Sequence, residues 1–158
     1  MEVFDGYATE ERPLAAYAVL TAVFNGALIA ALVAAKRADR LPGRVSLLEL
    51  VVLGAATQKL SRLLAKDRVT SFLRAPFTEY QEPGAPGEVE EEPRGSGLRL
   101  AVGELLVCPY CLGQWVAAGF VSGTLLAPRP TRAIASIFAT LSVADLLQLA
   151  YKAAEKRS

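Results

Sequence analysis

PLAAYAVLTAVFNGALIAALVAA, residues Pro13 to Ala35, is a run of 23 residues without a charge. About 20 apolar residues in a helix cover the hydrocarbon thickness of a bilayer. This run therefore decides the class: an integral membrane protein. It is longer than the apolar core of a signal peptide, and the leader before it, MEVFDGYATEER, is acidic where a signal peptide is basic. A retained membrane helix is expected. Two further runs point the same way. CLGQWVAAGFVSGTLLAP covers Cys111 to Pro128, and AIASIFATLSVADLLQLAY covers Ala133 to Tyr151 with one charge, Asp145.

Composition agrees. The chain has 158 residues, 53% of them hydrophobic, and its mean hydropathy is positive. A soluble domain carries about 45–50% apolar residues. The net charge of +1 suggests no nucleic-acid partner. Histidine is absent, so neither an imidazole base nor an imidazole metal ligand exists. Two cysteines do not make a disulfide framework.

The predicted organisation is a short tail over residues 1–12 and one helical membrane domain over residues 13–158. Within the first helix Ala18, Ala22, Gly26, Ala30 and Ala34 recur every four residues, a smooth face that another helix backbone can approach. Asn25 is expected to hydrogen-bond across a helix contact. Lys36 to Arg44 is a basic linker with a turn at Leu41-Pro42-Gly43. The second helix begins at Ser46, with Glu49 three residues later as in a capping box. Its apolar core, Leu50 to Thr57, is too short to span alone. It crosses only if Lys59 and Arg62 snorkel or pair inside the bundle.

Residues 75–97 are rich in Pro, Gly and Glu and read as a solvated acidic loop. A third helix starts near Leu98 or near Pro109, since proline is accepted in a first turn and breaks a helix interior. Gly119 and Gly123 give it a small-residue face. The fourth helix runs from about Thr131 to Glu155. Basic residues are split between the linkers, and the non-crossing arrangement of the second helix and the four-crossing arrangement with an inside N-terminus both put Cys108 at a cytoplasmic helix end.

Cys108-Pro109-Tyr110-Cys111 leaves three readings open. Two small, soft side chains can pack against a neighbouring helix. Cysteines three apart at a helix start can form a redox pair. Glu104, Cys108 and Cys111 lie at i, i+4 and i+7, one face of a continuous helix, and make an incomplete zinc shell that a second chain would have to close. Packing leads, with both thiols reduced on the cytoplasmic side. The charges in or beside apolar stretches, Lys59, Arg62, Asp67, Glu104 and Asp145, are costly to leave unpaired. A pairing of Asp145 or Glu104 with Arg62 or Lys59 is expected.

Three segments together carry a family resemblance: KLSRLLAKDRVTSFLRAPF (Lys59 to Phe77), GELLVCPYCLGQW (Gly103 to Trp115) and the acidic, Gly-rich loop between them. They resemble the small bacterial membrane proteins catalogued as domain of unknown function 1360, over about Leu50 to Ala150. The matching positions include Lys59, Arg62, Asp67, Arg74, Pro76, Phe77, Gly103, Glu104, Cys108, Cys111 and Trp115. Lys59 stands where that pattern often has arginine. The first helix looks like an addition. The resemblance implies a membrane protein and brings no activity with it.

The expectation is thus an all-α polytopic protein of the bacterial inner membrane with four helices, three or four of them crossing, and one long solvated loop. A basic cluster (Lys59, Arg62, Arg74) is expected to meet an acidic and thiol cluster (Asp67, Glu104, Cys108, Cys111). The bland form of that joint is a set of salt bridges that fixes the loop. The leading function is a non-enzymatic subunit, scaffold or self-assembling component, with the lipid bilayer and either a second copy or another membrane protein as partners. The alternative is a thiol-disulfide oxidoreductase or metal-binding protein built on Cys108 and Cys111. No cofactor is expected apart from zinc at an intermolecular site.

Overall fold

The computed structural model describes residues 12–42, 44 and 46–156. The acidic tail and the turn glycine Gly43 lie outside the described residues. The elements in chain order are α1 (Leu14–Arg37), α2 (Leu47–Lys66), α3 (Ser71–Arg74), β1 (Thr78–Pro83), β2 (Val89–Pro93), α4 (Gly97–Val107), α5 (Pro109–Leu126) and α6 (Pro128–Glu155). By length and composition α1 and α6 can each cross a membrane, and α4 with α5 forms a pair bent by 85°.

Four long helices make the body, and residue contacts fix their directions. Glu49 meets Arg132, Gln58 meets Ser142 and Lys59 meets Asp145, so α2 and α6 run parallel. Gly113 lies beside Ser61, and Phe120 clusters with Leu53 and Ala56, so α5 runs against α2. Phe24 meets Trp115, and Arg40 bonds the carbonyl of Leu126, so α1 runs with α5. The directions alternate along the chain. Residues 66–107 all gather at one end, which also holds both ends of the described chain.

The core is thin: Leu53, Ala56, Phe120 and Ala135, backed by Val52, Leu60, Val116 and Phe138. Small residues let the helices approach. A Cβ at Gly123 would fall 2.6 Å from Thr131 Oγ1, which shows how tightly α5 turns into α6. Long apolar side chains such as Ile29, Leu50, Ile137 and Leu146 point outward. In water that pattern would be a liability. In lipid it is the ordinary surface of a membrane helix.

Several expectations need correction. Residues 75–97 are not one solvated loop: they contain α3's exit and an antiparallel hairpin with Thr78 opposite Pro93 and Pro83 opposite Val89. The register slips between Tyr80 and Glu82, and Gly87 at the tip has φ 86°. There are six helices among the described residues, not four, because α3 is a separate turn and the third helix breaks at Cys108. Both starts read from the sequence exist, one for each half. Ser46 makes no side-chain cap; Glu49 accepts from Arg132 instead. Asn25 donates within its own helix to the carbonyl of Thr21, not across a contact.

Candidate functional site

The basic residues Lys59, Arg62 and Arg74 find partners near the end of α2, but these are Asp145, Glu88 and Glu91 and not the expected Glu104, Cys108 and Cys111; Arg74 is the centre. Its side chain is completely buried. A guanidinium has five N–H donors and no acceptor. Here all five have partners: Glu91 Oε2 at 2.6 Å and Oε1 at 3.3 Å, the carbonyls of Leu64 and Asp67, and Thr70 Oγ1. The two carbonyls belong to the last turn of α2, whose acceptors no helical N–H reaches. Arg74 therefore closes that helix and clamps the hairpin to it.

The hairpin answers along its length. Arg62 forks onto Glu88 at 2.6 and 2.7 Å, and Lys66 bonds Glu90 at 2.6 Å. Glu88, Glu90 and Glu91 come from one acidic stretch, VEEEP with its preceding glutamate, and each finds one cation from a different turn of chain. Backbone bonds reinforce the joint: Arg68 N–H donates to Gly87 O, and Asp67 bridges to Glu88. Beneath, α4 lies against β2. Gly103 is needed there, because a Cβ would sit 2.6 Å from the carbonyl of Phe77 and 3.0 Å from Pro93.

Between this cap, α2 and α6 lies a crevice of about 680 Å³. Lys59 bonds Asp145 across it at 2.6 Å, Ser142 donates to Gln58, and Glu88 with Pro86 forms the roof. Lys59–Asp145 is the expected pairing, with the partner choice settled by the parallel register of α2 and α6. Cation and anion match in the crevice, which leaves it polar and close to neutral.

Glu104 does not join this cluster. It is on α4, where Tyr17 donates to it and Arg12 lies 3.5 Å away, so it ties α1 to the cap. Cys108 and Cys111 are joined as a disulfide, where reduced thiols were expected. The helix break at Cys108 removes the continuous face that would have aligned Glu104 with the two sulfurs. Among the described residues no group of three His, Cys, Asp or Glu side chains is placed to hold a metal ion. A zinc site on this pair would first require its reduction, because the ligand is the thiolate. Of the small-residue faces, Ala18, Ala22, Gly26, Ala30 and Gly119 are exposed, while Gly123 is used against Thr131 within the chain.

Sequence reasoning missed Tyr17 and Gln58–Ser142, and it read the glutamates of EVEEEP as part of a solvated loop that could attract cations or a basic partner, not as the partners of Arg62, Lys66 and Arg74. The glutamates had a weak signal: a Pro/Gly-rich turn between two short segments, with Val89 as an isolated aliphatic in the second.

The family described as Protein of unknown function (DUF1360) matches residues 52–151, which spans α2 to α6 and leaves out α1. Two similar proteins come from Bacillus subtilis (strain 168). Sporulation protein YjcA is 31% identical over 104 residues, 64% of this chain and 88% of its own length. UPF0713 protein YngL is 30% identical over 108 residues, 68% of this chain and 81% of its own length. No solved structure matches the chain.

Proposed function

This chain belongs to the DUF1360 family of proteins of unknown function, and from that premise we propose that it is a non-enzymatic, multi-pass assembly component of the bacterial inner membrane. Four helices, α1, α2, α5 and α6, cross the bilayer, and the cap of α3, hairpin and α4 stands on one face. It acts as a subunit or scaffold for a partner, and the naming of YjcA as a sporulation protein suggests a sporulating cell as the setting.

One observation carries this reading: the clamp of Arg74 on Glu91, supported by Arg62–Glu88 and Lys66–Glu90. A connecting loop needs no such joint. A surface that must be offered to a partner in one orientation does, because ordering it beforehand lowers the cost of binding. Glu79, Tyr80, Glu82 and Glu92 of the hairpin are all exposed. That surface suits a basic partner segment. The Lys59–Asp145 pair supports a crossing α2, since it neutralises the charges that such a helix would otherwise carry unpaired toward the lipid.

Crosslinking in native membranes tests the proposal. The expected result is a species larger than the monomer, lost when Glu79, Glu82 and Glu92 are changed together to Lys. Monomer alone, with no co-purifying partner, overturns it. Reporter fusions at Arg40 and at Lys156 should lie on opposite sides of the membrane.

A further inference from the structure

Cys108 and Cys111 close a disulfide within one turn of chain at the start of α5. We propose that it is a reversible thiol–disulfide exchange site whose substrate is a vicinal dithiol. The inference does not rest on the assembly reading, and it gives the cap end a redox activity that the non-enzymatic form of that reading lacks.

Four observations carry it. The two cysteines are three residues apart in one turn of chain. Disulfides stabilise mainly by closing long loops, so a loop this short gains least from the bond. Cys111 is exposed, Cys108 is half-buried, and Tyr110 between them is 89% exposed. Exposed disulfides are the labile ones. Cys108 is the N-cap of α5, and its sulfur accepts the N–H of Cys111 at 3.2 Å. Finally, Cys108 marks the 85° break between α4 and α5, so the turn that holds the pair faces the cap end of the body and is not sealed inside it.

These positions assign different roles to the two sulfurs. A thiolate of the incoming dithiol attacks the exposed Cys111 Sγ. A new S–S bond forms between them, the Cys108–Cys111 bond breaks, and its electron pair leaves on Cys108 Sγ. That thiolate is a good leaving group because the Cys111 N–H and the helix N-terminus stabilise negative charge there. The second thiol of the substrate, after losing its proton, attacks the substrate sulfur of the mixed disulfide and expels Cys111 as a thiolate. Both released thiolates take up protons. The substrate has given two electrons and two protons and become a disulfide; Cys108 and Cys111 have become two thiols. The reverse sequence restores the bond.

The test uses the full chain in detergent, with reduced and oxidised glutathione at set ratios, acid quenching and a maleimide mass tag. The expected result is a single step from no tag to two tags, with the same midpoint from the reduced and the oxidised direction. Dithiothreitol should drive the same step without denaturant. Failure of excess dithiothreitol to open the bond in the folded protein overturns the proposal, since exposed disulfides are the labile ones. So does a chain that stays doubly tagged in oxidised glutathione. Mass spectrometry of the quenched intermediate should place glutathione on Cys111; an adduct confined to Cys108 overturns the assigned roles.

Discussion

Arg74 and Glu91 form a forked pair in which the arginine is fully buried and the carboxylate nearly so. The pair joins α3 to the second hairpin strand, and the remaining arginine donors close the end of α2 beneath it. A buried ion pair is held only while both charges are present; removing one leaves the other without water or partner.

Arg74→Met should therefore destabilise the protein by about 3–5 kcal/mol. Glu91→Gln, which keeps the shape and removes the charge, should fall in the same direction. Arg68→Met, at an exposed neighbour, should change stability by less than about 0.5 kcal/mol. Thermal unfolding in detergent followed by circular dichroism reads all three. Equal stability of the Arg74 and Arg68 variants would contradict the clamp.

Lys59 and Asp145 form the corresponding pair between α2 and α6. Each is partly exposed, so single replacements (Lys59→Met, Asp145→Ala) should cost only about 1 kcal/mol. The double variant should lose less than the sum of the two, with a coupling of about 0.5 kcal/mol or more. Glu82→Ala, at an exposed hairpin position, is the comparator. Strict additivity of the two singles would show that the pair is not energetically coupled.

Gly103→Ala places a Cβ 2.6 Å from a backbone carbonyl. Backbone gives way less easily than a side-chain tip, and a loss of about 1–3 kcal/mol is expected. Gly54→Ala meets nothing within 4 Å inside α2. It should be neutral or gain up to about 1 kcal/mol from helix propensity. Melting temperatures that move in the same direction for both variants would count against the α4–hairpin contact.

Trp115, the sole tryptophan, has Phe24 edge-on at 5.2 Å. An aromatic pair of this geometry contributes about 1 kcal/mol beyond its buried area. Phe24→Ala should loosen α1 and let lipid chains reach the indole. Quenching of Trp115 fluorescence by brominated lipids should then rise. Unchanged quenching would show that α1 does not dock there in a bilayer.

Much of this was readable one residue at a time. Apolar length announces α1, which is uncharged from Pro13 to Ala35, and α6, whose run carries one charge; the cost of isolated charge points to a partner for Asp145. Which cation it takes was not readable, because the choice between Lys59 and Arg62 depends on the parallel register of two helices 86 positions apart in sequence. The break at Cys108 was half-visible: Pro109 marked a start, but unbroken apolarity on both sides hid the bend. The hairpin was least visible. Strands are usually betrayed by alternating apolar residues, and here the hairpin buries little besides Thr78, Val89 and Glu91, while its glutamates are held by cations that arrive from α2 and α3. Composition read those glutamates as solvated, and only the fold supplies their counterions.

The separation between Lys59 and Asp145 also has a consequence in time. A ribosome adding about 5–20 residues per second needs several seconds to reach Asp145 after Lys59 has emerged. The hairpin glutamates, only 24–26 residues downstream of their α2 partners, arrive much sooner. During biogenesis α2 thus gains the counterions of its cap before those of its neighbour helix. The cap joint is built first, and α6 docks onto a helix whose far end has already been anchored.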